Sequence, residues 1–329
     1  LIDFKAAFLN GILKQKINML LHKEIAELFI KYDPSWKQYQ RENGSILVQL
    51  DKALYGTKEA AQAWNMQITK FIITQLGFKQ STHDRCLFYY NNDNIKCYIG
   101  LHVDDMLVIH NDKVFFNKMF NTIDTTYPEC TMQSGNKLRY LGCELNINKD
   151  YSITLSQNDY IEKCAIQYKI DSTTTNPVYS DLLNPSNDDN PFDDIHSYMS
   201  LIMKLLYITT HTRTDISFIV SYLTRKNTCP NKRDYQQGIR CLKYLKSTPY
   251  IHKVFRGISD KVITSYTDAS NNIHPDARSQ SAFAIYVHSN SSPIYDKSTI
   301  QKCHARGSTE AEIVAMDDCV LKTVRIKNL

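Results

Sequence analysis

Two adjacent aspartates, Asp104 and Asp105, interrupt an otherwise apolar, β-prone run, IKCYIGLHVDDMLVIH. An ionised carboxylate is strongly disfavoured in an apolar setting unless it is paired or bound to a cation. Ile99, Leu101 and Val103 before the pair, and Met106, Leu107, Val108 and Ile109 after it, read as two short strands. Both acids are therefore predicted at the turn of a hairpin. An ordinary Asp-rich turn has the same local pattern, so the pair implies chemistry only with a partner elsewhere.

Asp3 is the candidate partner. It follows the apolar strand end Leu1–Ile2 and precedes Phe4, Lys5, Ala6, Ala7 and Phe8. A carboxylate at a strand end and a pair on a hairpin tip can converge on one side of a sheet. Three such groups repel one another unless divalent cations lie among them. Two Mg²⁺ ions roughly 4 Å apart would then hold the attacking and leaving oxygens of a phosphoryl transfer. Spacing alone does not establish this.

A chain of 329 residues with 43% hydrophobic and 11% aromatic side chains has room for about two globular domains. The net charge of +5 is compatible with a polyanionic partner without requiring one. Nine cysteines without a C-x-x-C pair suggest neither a disulfide framework nor a zinc knuckle, which favours a reducing compartment. No apolar run reaches the roughly 18 residues of a membrane span. The opening LIDFKAAF starts in mid-strand rather than at a methionine, so a fragment of a longer protein is expected.

Along the chain, Trp64, Ile68, Phe71, Ile72 and Leu76 sit at helical spacing within 60–77, with Gly77 as the closing residue. Strands are predicted at 86–90 and 95–101. More hairpin strands follow in KLRYLGCELNINKDYSITLSQ, then a helix near 157–168. Residues 172–195 carry Pro177, Pro185 and Pro191 among Asn, Ser and Asp, as in a linker or long surface loop. Three helical stripes come next: Tyr198–Leu206, Ile216–Leu223 and Tyr235–Leu245. Arg240, Lys243 and Lys246 project from the far side of the third, as a solvated face or one that tracks phosphates. Strands return in KVITSYTDAS and SAFAIYVHS, before a helix starting near Thr309.

Three blocks occur in order: LIDFKAAFLNG, LDKALYGTKEAAQAW and LHVDDMLVIH. Together they resemble the reverse transcriptase of copia-type LTR retrotransposons, whose pattern runs D-x-K-x-A-F-L-N-G, K-A-x-Y-G-L-K-Q-A-x-x-x-W and Y-V-D-D. The similarity continues through YLGCELNINKDYSITLSQNDYIEK, SYMSLIMKLLYITTHTRTDISFIVSYLTR and CLKYLKST. It enters a ribonuclease H-like region at SYTDAS and STEAEIVAM.

The resemblance implies an α+β chain. It would comprise a right-hand polymerase palm (an antiparallel sheet with flanking helices) and thumb over 1–171, a linker over 172–197, a helical connection over 198–256, and a partial ribonuclease H-like α/β domain over 257–329. It also implies roles. Asp3, Asp104 and Asp105 would be the catalytic acids and the ligands of two Mg²⁺, with Mn²⁺ as a substitute. Phe8 would lie under the incoming sugar and reject a 2′-hydroxyl. Tyr55, Gly56 and Lys58 would lie beside nucleotide and template, with Gly56 admitting a close backbone approach. Leu141 and Gly142 would grip the primer end, and Asp268 and Glu312 would be a ribonuclease H remnant. Trp64 reads as core. The implied partners are an RNA template, a DNA primer, the RNA–DNA hybrid, deoxynucleotides and other parts of a Pol polyprotein, with no membrane. Family behaviour implies cytoplasmic virus-like particles and then the nucleus.

His102 stands in place of the family tyrosine, Thr57 in place of a leucine and Thr214 in place of a proline; Met203 and Lys204 stand where small residues are usual. Only two residues precede Asp3 and the chain ends shortly after Glu312, so the expectation is weak or absent activity in this polypeptide. The competing reading is a catalytically inactive relic, or a co-opted nucleic-acid-binding protein.

Overall fold

The computed structural model describes residues 1–92, 94–182, 190–257 and 262–329. The chain divides into two compact units, Leu1–Gln133 and Ser134–Leu329. Each holds antiparallel sheets with helices packed on them, an α+β architecture.

In the first unit, β1 (Ile2–Phe4) is followed by a short helix α1 (Ala7–Asn10) and a long ribbon of β2 (Ile12–Leu21) with β3 (Ile46–Lys52). Helix α2 (Lys23–Tyr32) lies between the ribbon strands in sequence, and α3 (Ala60–Thr74) follows them. Then come β4 (Lys79–Gln80), β5 (Leu87–Asn92), β6 (Ile95–His102), β7 (Asp105–His110), α4 (Lys113–Thr126) and β8 (Cys130–Met132). Six strands form one sheet in the order β4-β5-β6-β7-β1-β8, which puts β1 between β7 and β8 although it comes first in the chain.

Alternation decides which way β1 faces. Ile2 and Phe4 are buried against Trp64, Ile68 and Ile72 of α3 and Ile123 of α4. Side chains on a strand alternate, so Asp3 points to the sheet face opposite these helices. On β7, Met106 is buried and lies opposite Ile2, which sends Asp105 to the same face as Asp3. The helical spacing predicted for 60–77 holds as far as Thr74. Gly77, at φ +76, then turns the chain, and the Phe78 N–H returns to the Ile72 carbonyl at 3.2 Å. A residue without Cβ takes that left-handed conformation without strain.

In the second unit, β9 (Lys137–Tyr140), β10 (Cys143–Ile147), β11 (Ile153–Ser156) and β12 (Lys253–Phe255) form a four-stranded sheet in the order β12-β11-β10-β9. Helices α5 (Asn158–Gln167), α6 (Ile195–His211), α7 (Ser217–Thr224) and α8 (Lys232–Ser247) bury the predicted stripes in one core, including Tyr198, Leu205, Val220, Leu223 and Leu242. Arg213, 1% exposed, ties this core together. Its guanidinium binds both oxygens of Asp215 at 3.0 and 2.8 Å and the Thr248 carbonyl at 3.1 Å, while the Tyr244 hydroxyl donates to Asp215 at 2.8 Å. A buried charge this fully partnered is tolerated; removing one partner typically costs about 3–5 kcal/mol. A three-stranded sheet of β13 (Thr264–Ser270), β14 (Gln280–Tyr286) and β15 (Tyr295–Ile300) packs on α9 (Ser308–Lys327).

Of the predicted linker 172–197, residues 183–189 fall outside the described residues. Its described part has no helix or strand before α6, but it is not loose. Gln237 on α8, fully buried, accepts from the Tyr179 N–H at 3.0 Å and donates to the Pro177 carbonyl at 2.6 Å. Lys246 donates to the Ile170 carbonyl at 2.9 Å, and the Arg240 guanidinium lies over the Tyr179 ring at 4.5 Å. This corrects the solvated-face expectation for these two bases: the segment after α5 folds back over α8 and uses them.

Candidate active site

The strand register brings the predicted acids together. Asp3 on β1 lies directly opposite Asp105 on β7, and the Phe4 N–H donates to the Asp104 carbonyl at 3.0 Å. Directly opposed side chains share a face with Cβ atoms about 5 Å apart. One detail differs from expectation. The hairpin turn is Val103–Asp104 alone, because His102 pairs with Asp105 across β6 and β7. Asp105 is thus the first residue of a strand, where its direction is fixed by the sheet.

Asp105 is half-buried, and its carboxyl is pushed above the ordinary aspartate range. Burial is the largest cause, followed by the negative charges of Asp104 and then Asp3. A charged His102 ring, in register opposite, acts in the other direction. Asp105 is thus a carboxyl whose charging is disfavoured by its burial and by two acids close to it. Among the described residues no three such side chains converge tightly enough to cage an ion by themselves.

The indole of Trp64 explains why the turn stays in place. Trp64 is 1% exposed, and its ring packs edge-on against Phe4 and Tyr127. Its Nε1–H, which burial obliges to find an acceptor, donates to the Val103 carbonyl at 2.6 Å. Val103 has φ +57, a conformation that β-branched residues rarely adopt. Core by its spacing, Trp64 is core in the fold and also the clamp of the acidic turn. The one signal for this in the sequence is that tryptophan, unlike leucine or phenylalanine, brings a donor into a core.

Phe8, half-buried on α1, meets the exposed Tyr55 ring at 4.9 Å. Tyr55 and Gly56 are the central pair of a turn closed by the Thr57 N–H to the Leu54 carbonyl at 3.0 Å. Gly56 has φ +91, as the third residue of such a turn requires, and a Cβ there would meet no atom within 4 Å. Lys58 is exposed beside it. Gly11, which no local pattern marks, is a packing glycine: a Cβ would lie 2.9 Å from the Trp64 backbone nitrogen.

In the second unit, Leu141 and Gly142 form the two-residue turn between β9 and β10, at φ +48 and +75. The Tyr207 hydroxyl on α6 donates to the Leu141 carbonyl at 2.9 Å, a contact with no signal in the sequence. Asp268 lies within β13, and Glu312 on α9 accepts from the Ala269 N–H at 3.3 Å, which brings these two acids to neighbouring positions. Glu310 is turned away and accepts from the Arg306 N–H at 2.8 Å.

The reverse transcriptase (RNA-dependent DNA polymerase) family profile matches residues 1–184. The putative transposon Ty5-1 protein of Saccharomyces cerevisiae is 24% identical over 98% of this chain and 100% of its own length. The Retrovirus-related Pol polyprotein from transposon TNT 1-94 of Nicotiana tabacum is 26% identical over 99% of this chain, which spans 24% of that protein. The corresponding polyprotein from transposon RE1 of Arabidopsis thaliana is 27% identical over 94% of this chain, which spans 20% of it. These relatives agree with the copia-type resemblance of the motifs. With the profile covering more than half of its length, the chain belongs to the reverse transcriptase (RNA-dependent DNA polymerase) family.

Proposed function

We propose that Asp3, Asp104 and Asp105 form the catalytic centre of an RNA-directed DNA polymerase that extends a DNA primer on an RNA template by two-metal nucleotidyl transfer. The observation that carries this reading is the register of Asp3 opposite Asp105, with the Asp104 backbone bonded to Phe4. The three carboxylates would hold two Mg²⁺, or Mn²⁺ in their place. Bound there, the ions would activate the primer 3′-hydroxyl and neutralise charge on the departing pyrophosphate. Trp64 and the interior position of β1 keep the acids in place as charge builds on the substrate. The Phe8–Tyr55 ring pair would reject a 2′-hydroxyl and so select deoxynucleotides. Gly56 and Lys58 would contact nucleotide and template, and Leu141 and Gly142 the primer strand.

The division into palm and thumb, linker, connection and ribonuclease H-like region at 1–171, 172–197, 198–256 and 257–329 is part of the same proposal. So is a metal-binding role for Asp268 and Glu312, supported by their adjacency. Membership of a Pol polyprotein is carried over from the relatives' names by analogy alone, and passage from cytoplasmic particles to the nucleus rests on the family resemblance only.

The test is primer extension on an RNA template with Mg²⁺. The unaltered chain extends the primer, and Asp104→Asn lowers the rate about 10³-fold or more, a loss of several kcal/mol of transition-state stabilisation. A second reading draws on His102, which replaces a tyrosine and lies opposite Asp105: a nucleic-acid-binding relic would bind the hybrid yet extend nothing, with or without Asp104.

A further inference from the structure

We propose that the cleft between α8 and the strap at 172–179 is a phosphodiester-binding site for a strand of the RNA–DNA hybrid. The cleft has a volume of about 310 Å³, and Ser172, Thr173, Tyr179, Gln236, Arg240 and Lys243 are among its lining residues. Arg240 and Lys243 are three residues apart, so they lie on one face of α8. Among the described residues no aspartate or glutamate lines the cleft, although Asp171 precedes Ser172 in the chain.

Arg240 is distinguished from the other arginines packed on these helices. Arg213 pairs with Asp215, Arg225 with Asp276 and Arg233 with Asp181. Arg240 has no carboxylate among the described residues, and its buried Nε–H has no acceptor. Its guanidinium carbon lies 4.5 Å from the centroid of the Tyr179 ring, whose backbone is in turn fixed by buried Gln237. A guanidinium held over an aromatic ring, with an unspent donor, is placed to meet phosphate oxygens. A buried donor without an acceptor is an uncommon state that an anion would relieve. Lys243 adds a second positive charge a turn away, and the Ser172 and Thr173 hydroxyls, both exposed, supply neutral donors at the rim. Two adjacent cations with hydroxyl donors, and no competing acid among the described lining residues, match a strand's repeating phosphates, whose recognition carries no sequence information.

The proposal rests on the chain's having a nucleic-acid partner, but not on catalysis at Asp104. Fluorescence anisotropy of the full chain with a labelled RNA–DNA hybrid, over a range of salt, tests it. Lys243→Gln should reduce the slope of log affinity against log salt by about one and Arg240→Gln/Lys243→Gln by about two, equally for hybrids of unrelated sequence. Arg240→Gln also removes the stack on Tyr179, so Lys243→Gln, which disturbs no described contact, is the decisive variant. Absence of hybrid binding by the unaltered chain, or an unchanged slope in Lys243→Gln, overturns the proposal. So does a small-anion site, seen as inorganic phosphate raising the melting temperature of the unaltered chain but not of Lys243→Gln while both bind hybrid alike. A chain that binds through Lys243 yet never extends a primer would leave this site standing and defeat the polymerase reading.

Discussion

Two sharp hairpins of the molecule solve one problem in different ways. Val103–Asp104 and Leu141–Gly142 are both two-residue turns between antiparallel strands, and each begins with a non-glycine residue in the left-handed region. In both, that residue's carbonyl accepts from an aromatic side chain on a packed helix: Trp64 at 2.6 Å in one, Tyr207 at 2.9 Å in the other. They differ at the second position. Gly142 also takes a positive φ, giving the turn whose twist suits a hairpin, whereas Asp104 does not. A positive φ at the first position alone calls for glycine there, and this chain has valine. The strained turn is the one that carries the acids, and the relaxed one carries none. Strain at a charged site, held by a buried donor, is what a preorganised centre needs; a turn that only has to present backbone can use glycine.

The comparison can be broken or sharpened by substitution. Gly142→Ala should have the largest effect on stability, about 2–3 kcal/mol in urea unfolding, because φ is +75 and the new Cβ would come within 2.0 Å of the Tyr207 hydroxyl oxygen. Trp64→Phe keeps the ring but strands the Val103 carbonyl, with an expected loss of about 2 kcal/mol. If the acids form the proposed catalytic centre, it should also lower kcat for primer extension more than it changes KM, since the carboxylates would then be less well placed. Unchanged stability and unchanged kcat would end the claim that the indole clamps the acidic turn. Tyr207→Phe should cost less, about 1 kcal/mol, because the Leu141 carbonyl lies beside exposed Gly142 and water can replace the hydroxyl. Val103→Gly is the smallest and has the opposite sign: relief of the left-handed strain should stabilise the fold by less than about 1 kcal/mol, while the looser turn extends primers more slowly. A destabilised Val103→Gly would show that the valine side chain, and not its backbone, matters to the turn.

The elements themselves are legible in the chain. The stripes at Tyr198–Leu206 and Tyr235–Leu245, the alternation around Cys97, Ile99 and Leu101, and the break at Gly77 are local patterns of period 3.6 or 2, and the chain folds by them. The pattern around Asp105 puts it in the turn, one position from where it lies, because a turn of two residues and one of three look alike when the central residues are polar or β-branched. The bases on α8 read as solvated because a helix face shows its chemistry in sequence but not what folds back onto it. Nothing near Arg240 announces Tyr179.

What the sequence by itself determined is the kind of element each segment forms, the residues available for chemistry, and, through the order of its blocks, the family. What the tertiary structure decided is which of those residues meet. Strand β1 enters the sheet between β7 and β8, so Asp3 faces Asp105 and Trp64 reaches Val103. Periodicity is written within a few residues, but register depends on the simultaneous burial of side chains far apart in the chain, such as Ile2, Met106 and Ile68, and no local pattern contains that condition.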